Sequence, residues 1–428
     1  MRKIQNFEQL ASSKTRRTAL EIAEAGLWAI DTPTVVQKGV RIENSTLFVQ
    51  NQAFPLKGVR NIYIVGIGKC ALAACSALEE ILGEHIAGGI VFDITEGTLK
   101  RLRSLKGDHP FPTERNAEAT KEIINLLKGL QENDLVLFVV SGGGSTLLYQ
   151  SESLSCQDET AIVGCLFRAG ATIQELNIVR KHLSLARGGY LAMYAYPARA
   201  IALIFSDVPG DSMEFIASGP TIKDATTKED AEQILKKYSI REAVGIPNIT
   251  LLETPKEEKY FKNAASILFV SNGVALKAME EKAEELGFHA QIRTSVLTGE
   301  ARDVAKDIVG DLKKAAPRTA LLYGGETTVT VETPGKGGRN LELGLSSLRF
   351  LQKEHLILPL ASDGRDNTDF AGAMCDMITK KKATDENLSP EEYLQNNRSY
   401  DFFESVKEYL LCGNTGSNVS DLIIAIHE

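Results

Sequence analysis

The sequence predicts an α/β protein made of two α/β domains, and three observations carry that expectation. Short β-branched apolar runs recur at Asn61–Val65, Gly89–Phe92, Asp134–Val140, Ala200–Phe205, Ile267–Val270 and Thr319–Tyr323. Several are apolar on both faces, as strands covered by helices on each side would be. Between them, longer stretches carry helical spacing with little Gly or Pro, which is the alternation of an α/β architecture. Finally, 428 residues exceed the size at which one core stops growing, so two domains are the default.

In chain order, the helical stretches are Thr15–Ile30, Ala71–Leu82, Asn116–Leu130, Asp158–Ala169, Lys228–Tyr238, Gly273–Leu286 and Ala301–Ala315. Periodicity is weakest from Gly245 to Lys259, where Pro and charge cluster. A boundary placed there gives domains 1–255 and 262–428. A second polar segment, Lys380 to Ser399, reads as an exposed helix or insertion with a solvated surface.

Composition excludes several classes. Hydrophobic residues make up 43% and charged residues 24%, which fits neither a disordered chain nor one with a membrane-length apolar run. The N-terminal stretch lacks the apolar segment of a secretory signal, so a cytoplasmic location is expected. The net charge is −8 and the cations are scattered, which argues against a nucleic-acid footprint. The six cysteines form no CxxC pair and read as buried thiols. No heptad or exposed apolar stripe points to an oligomeric interface, and the six histidines form no metal-ligand spacing.

The chemistry lies in loops after strands. Gly66-Ile-Gly-Lys-Cys-Ala71 matches the G-x-G-x-x-A dinucleotide fingerprint, and Asp93 stands where a ribose-binding acid would. Lys69 fits that reading poorly. It puts a cation at the start of a helix, where the macrodipole is already positive, so it asks for an anion near Gly66 and Gly68. Ser141-Gly142-Gly143-Gly144-Ser145 follows the strongest strand and lets backbone N–H groups and two hydroxyls face a ligand. Asn177, Arg180, Lys181, His182, Ser184 and Arg187 then concentrate cations for which an acidic substrate is the natural client. His182 reads equally as structural or catalytic.

Asp207, in Ser206-Asp-Val-Pro-Gly-Asp211, is a candidate Mg²⁺ ligand or base, and equally an ordinary turn former. In the C-terminal half, Glu326 follows a strand and Arg339 and Asn340 open a helix, again placing a cation where an anion is wanted. Ser362-Asp-Gly-Arg-Asp-Asn-Thr-Asp369 brings three acids into a turn in which Asp363 is a candidate Mg²⁺ ligand.

Together these segments resemble the class II glycerate kinases, the glycerate 2-kinase family with a C-terminal MOFRL domain. The carriers are Val65–Ala71, Ser141–Ser145, Glu175–Ser184, Phe205–Asp211, Ala217–Thr221, Thr298–Arg302, Gly324–Thr328, Gly338–Glu342 and Thr415–Val419. The resemblance implies an N-terminal Rossmann-like three-layer domain, a C-terminal α/β domain with its MOFRL region at about 318–425, and a cleft site between them. It implies ATP- and Mg²⁺-dependent phosphorylation of D-glycerate to 2-phosphoglycerate, with Lys69 and Arg339 as active-site residues. The segment 362–369 lacks a second glycine of the family pattern, and Gly413-Asn-Thr-Gly-Ser417 replaces the common G-P-T-G-T.

Two other readings compete: an NAD(P)-dependent hydroxypyruvate reductase, supported by the Gly66-to-Asp93 spacing, and a non-catalytic sugar-acid or nucleotide sensor. The expected hypothesis for the kinase is that Lys69 and Arg339 hold the glycerate carboxylate. The Ser141–Ser145 loop would cradle phosphate, and Asp207 or Asp363 would bind Mg²⁺ or take the hydroxyl proton.

Overall fold

A computed structural model describes residues 2–246 and 248–428. Met1 and Pro247, the latter within the segment read as a boundary, lie outside the described residues. The chain divides into two compact units: Val35–Ser206 with Asp211–Phe269, and the residues up to Thr34 with Asp207–Gly210 and Val270–Glu428. Each unit contains a six-stranded sheet.

The first unit opens with three short antiparallel strands, β1 (Val40–Glu43), β2 (Thr46–Val49) and β3 (Gln52–Pro55). Asn44 and Ser45 both take positive φ between β1 and β2, which suits a two-residue hairpin turn. The main sheet follows, with β4 (Asn61–Ile67), β5 (Ile86–Asp93), β6 (Arg103–Lys106), β7 (Asp134–Val140), β8 (Arg199–Phe205) and β9 (Ala264–Val270) in the order β6-β5-β4-β7-β8-β9. From β6 to β8 every pairing is parallel.

The chain thus builds outward from β4 through β5 to β6, then returns to β4's other side with β7 and β8. The order reverses between β4 and β7, and ligands of such sheets bind outside the carboxyl ends at that point. All seven residues of β7 are buried. Burying each of Leu135, Leu137 and Phe138 contributes about 1.5–3 kcal/mol, so this strand anchors the parallel-sheet unit.

The second unit holds β10 (His289–Leu297), β11 (Thr319–Gly325), β12 (His355–Ala361), β13 (Gly372–Ala373), β14 (Tyr409–Leu410) and β15 (Asp421–His427), ordered β10-β11-β15-β12-β13-β14. The sheet is mixed: β10 and β11 run parallel, while β15 lies between β11 and β12 and is antiparallel to both. Asp421, the first residue of β15, is therefore in register with Gly325 and Ala361, the last residues of its two neighbours.

The helix Lys14–Ala29 belongs to this mixed-sheet unit and packs on the helix Asn272–Glu285. Gly26 permits the approach, because a Cβ there would stand 2.7 Å from Met279 Cγ. Arg16 is 1% exposed; its Nε and Nη2 donate to Asp376 at 2.7 Å each and its Nη1 to Glu408 at 2.8 Å. Losing that guanidinium would leave the buried Asp376 carboxylate without a counter-charge, while Glu408 would keep only Lys382.

The polar segment 380–399 is only in part the solvated surface expected. It forms the helices Met377–Asp385 and Pro390–Gln395 and leads into Ser399–Val406, and Ala383, Leu394, Phe402 and Phe403 join the core with Leu321, Ile357 and Ile423.

Candidate active site

The two glycine loops of the parallel-sheet unit leave β4 and β7 side by side at the order reversal. They are laced together: Ser141 N donates to Ile67 O (2.9 Å), Lys69 N to Gly142 O (2.9 Å) and Cys70 N to Ser141 Oγ (3.3 Å). Gly68 makes this possible. Its φ is +115°, and a Cβ would lie 2.2 Å from Ser141 Oγ. Gly66 serves packing instead, since a Cβ would meet Cys75 Sγ at 2.5 Å on the helix Ala71–Leu82.

This lacing corrects part of the expectation. The N–H groups leading into that helix do not face outward for an anion: Ala71 N donates to Gly68 O and Leu72 N to Asp93 Oδ2 at 2.9 Å. Asp93 is buried, and its other oxygen accepts from Thr95 N and Oγ1 at 3.1 Å each. It is a helix cap and not an open ribose acceptor. The Ser141 and Ser145 hydroxyl protons are also spent internally, on Ile67 O (3.3 Å) and on Ser218 Oγ (2.9 Å), because Ser218 itself donates to Asn177 Oδ1 (2.9 Å).

What stays open is narrower. Among the described residues, the amides of Gly142, Gly143 and Ser145 have no acceptor and the Lys69 ammonium has no partner. Gly143 takes φ +81°, and a Cβ on it would lie 3.0 Å from Lys69 Cγ and 3.5 Å from His109 Cδ2. Gly144 is closed from behind, where a Cβ would stand 2.5 Å from Ala217 Cβ. Ala217, Ser218 and Gly219 form a run of left-handed residues, a strained conformation typical of functional sites.

The cation-rich helix Ile173–His182 sorts itself by burial. Lys181, expected to bind substrate, is 3% exposed and ion-paired with Asp224 at 2.9 Å. Arg187 is buried on Glu159 at 2.7 Å. His182 is structural, its Nδ1 donating to Leu252 O at 2.7 Å with Thr226 Oγ1 3.2 Å from Nε2. Arg180 alone has no hydrogen-bond or ion-pair partner for its guanidinium among the described residues. Burial and then the Arg187 charge lower its pKa from the usual arginine value.

His109 is the residue that motif reading missed. Burial of its ring, then the charges of Lys69 and Arg180, push its pKa down to about 4. The residue as a whole is nonetheless exposed to solvent, so a ligand can reach the ring beside the two cations. The signal available in the sequence was Asp108-His-Pro-Phe-Pro112, a proline-bounded histidine just beyond the strand end at Lys106.

In the mixed-sheet unit the loops after β11 and β12 flank Asp421. Arg339, first residue of the helix Arg339–Ser347, donates through Nε to Asp421 Oδ2 at 2.5 Å and through Nη2 to Oδ1 at 3.1 Å. Its Nη1 lies 2.7 Å from Glu326 Oε1. Arg339 is therefore not the unsatisfied cation that helix-dipole reasoning suggested. Burial works against its charge, but Asp421 and Glu326 prevail and hold the guanidinium above its ordinary value.

The helix N-terminus is satisfied as well: Asp366 accepts from Asn340 N (3.1 Å), Leu341 N (2.8 Å) and Asn340 Nδ2 (3.2 Å). Burial, then the Asp421 charge, pushes the Asp366 carboxyl up to about 7. Glu326 and Asp421 are raised as well, each by burial first. Asp207 and Asp363 both contribute negative charge at Glu326, so the two candidate Mg²⁺ ligands fall in one acidic neighbourhood. Ser420 Oγ donates to Asp207 O at 2.6 Å, and Thr415 N to Asp363 O at 3.2 Å, tying both to the segment before β15. Among the described residues no three His, Cys, Asp or Glu side chains form a metal cage.

A doubly wound unit with open loop amides and a mixed-sheet unit with clustered acids define an α/β enzyme acting on small molecules. Residues 18–253 match the family described as a domain of unknown function, DUF4147, and residues 319–421 match the MOFRL family. The glycerate 2-kinase of Pyrococcus horikoshii is 36% identical, covering 96% of this chain and 97% of its own. The D-glycerate 2-kinase of Thermotoga maritima is also 36% identical, over 88% of this chain and 93% of its own. The crystal structure of Thermotoga maritima glycerate kinase superposes with a TM-score of 0.83 at 32% identity, covering 96% of this chain and 99% of that one. The chain belongs to the glycerate 2-kinase family with a C-terminal MOFRL region. No helix among the described residues is long and apolar enough to cross a membrane.

Proposed function

We propose that the protein transfers the terminal phosphoryl group of ATP to D-glycerate, giving 2-phosphoglycerate. The observation that carries this reading is the pair of unpartnered cations, Lys69 and Arg180, beside the open amides of Gly142, Gly143 and Ser145. A charge left unpaired in a folded protein costs stability unless a ligand answers it. Hydroxy acid and nucleotide both supply the matching oxyanions. The reductase reading is weakened by Asp93, whose carboxylate is occupied as a helix cap.

In this proposal Lys69 and Arg180 hold oxyanions of the reactants and stabilise the charge that shifts during transfer, while the Gly142–Ser145 amides orient phosphate oxygens. Asp207 accepts the proton of the attacking hydroxyl. Arg339 acts through Asp421 and Glu326, keeping the acidic loops in register.

Mg²⁺ fits the mixed-sheet unit's donors: they are all oxygens, and the charges of Asp421, Asp207 and Asp363 all bear on Glu326. Asp363 and Asp207 would hold it, and when bound it would neutralise phosphate charge. With all six cysteines as free thiols, we place the reaction in the cytoplasm.

Purified protein incubated with ATP and D-glycerate should yield 2-phosphoglycerate, identified by phosphorus NMR. Oxidation of NADH with hydroxypyruvate, and no phosphorylated product from ATP, would overturn the proposal.

A further inference from the structure

We propose that His109 is a third side chain in contact with the oxyanion held by Lys69 and Arg180, donating a ring N–H to one of its oxygens. The inference rests on the anion-site reading above and adds a ligand contact to it.

Three observations converge. The space over Gly143 is bordered on one side by the Lys69 stem and on another by the His109 ring, 3.0 and 3.5 Å from a Cβ position that only glycine leaves empty. An oxygen resting on the Gly143 amide therefore has the imidazole within reach as well as the ammonium. Second, the loop carrying His109 is held on both sides. Buried Asn116 accepts from Asp108 N (3.0 Å) and donates to Asp108 O (3.0 Å) and Thr146 O (3.2 Å), while Thr146 Oγ1 donates to Pro110 O (3.3 Å). These bonds tie the histidine loop to the glycine loop itself. Third, the exposed ring has no hydrogen-bond partner among the described residues, so its N–H is available to an anion drawn to the two unpartnered cations beside it. Burial of the ring and then these two cations favour the neutral imidazole, so it carries one N–H to give and adds no third positive charge.

The chemistry recognised is an oxyanion, which comes either from the hydroxy acid's carboxylate or from a phosphate of the nucleotide. The test uses the full chain. The His109 imidazole signal, assigned among six histidines as the one missing in His109→Gln, is followed by NMR while D-glycerate and inorganic phosphate are added separately. Steady-state KM for D-glycerate and for ATP is measured in wild type, His109→Ala and His109→Gln.

The expected result is a shifted His109 signal with one ligand and a KM for the matching reactant raised about tenfold in His109→Ala, since the contact is a hydrogen bond to a charged group. The amide of His109→Gln should recover much of it. Response to D-glycerate identifies the carboxylate as the source, and response to phosphate and ATP identifies the nucleotide. An unmoved signal with both ligands, or unchanged KM values in His109→Ala, overturns the proposal. If His109→Ala fails to fold, the wild-type titration and His109→Gln still decide. Should the wild type show no transfer to glycerate while phosphate still moves the His109 signal, the reaction assignment falls and the contact stands.

Discussion

The parallel-sheet unit and the mixed-sheet unit treat their key cations in opposite ways. In the first, Lys69 and Arg180 have no partner among the described residues, while in the second Arg339 is bonded to Asp421 and faces Glu326. Lys69 and Arg339 were singled out by the same helix-dipole argument, yet of these two only Lys69 is left without a partner among the described residues. A cation's place beside a glycine loop marks electrostatic demand, and long-range pairing decides whether the protein or a ligand meets it. The first unit is thus prepared for a ligand, whereas the second has spent its cation on fixing its own acids.

Breaking the paired side should give the largest effect. Arg339→Met strips the counter-charge from Asp421, which is 2% exposed, and should cost about 3–5 kcal/mol of stability with loss of turnover, read by urea denaturation and activity assay. An unchanged midpoint would show that the pairing does not organise the loops. Breaking the open side should separate activity from stability. Lys69→Ala should lower kcat/KM by about 10²–10³, equivalent to about 2.7–4 kcal/mol, while stability stays within about 0.5 kcal/mol. Near-full turnover would remove Lys69 from the mechanism.

A third effect is smaller and pH-dependent. The folded Asp366 pKa of about 7 lies above its ordinary 3.8, so between roughly pH 4 and 7 the native state holds a proton that the unfolded state has released. Stability from this group therefore rises as pH falls through that window, by at most about 1.4 kcal/mol per pH unit. Thermal melts of Asp366→Asn across the window should lose that slope. The smallest change belongs to Arg180→Gln. Relief of its repulsion with Arg187 should leave stability unchanged or higher by a few tenths of a kcal/mol, while KM for an anionic reactant rises.

The elements with strong periodicity were legible. Asp134–Val140 is the same strand in sequence and structure, and Ala71–Leu82 is the same helix. The strands of four residues at Val40–Pro55 were not, because mixed polarity over so short a run resembles a loop. Partners were the least legible part. Lys181 meets Asp224 from 43 positions away and Arg339 meets Asp421 from 82, distances over which local spacing carries no information. His109 lies in a loop with neither helical nor strand period, so only its neighbours in space reveal it.

The position of β15 bears on the order in which the polypeptide is made. By residue 269 the ribosome has supplied every strand of the parallel sheet except the final residue of β9, so that unit can close while synthesis continues. The mixed sheet cannot, because its central strand is Asp421–His427 and its packing also needs the helix Lys14–Ala29, translated some four hundred residues earlier. That early helix must wait with its apolar face uncovered until the helix Asn272–Glu285 is made, and the layer it belongs to is completed only when the late strand arrives.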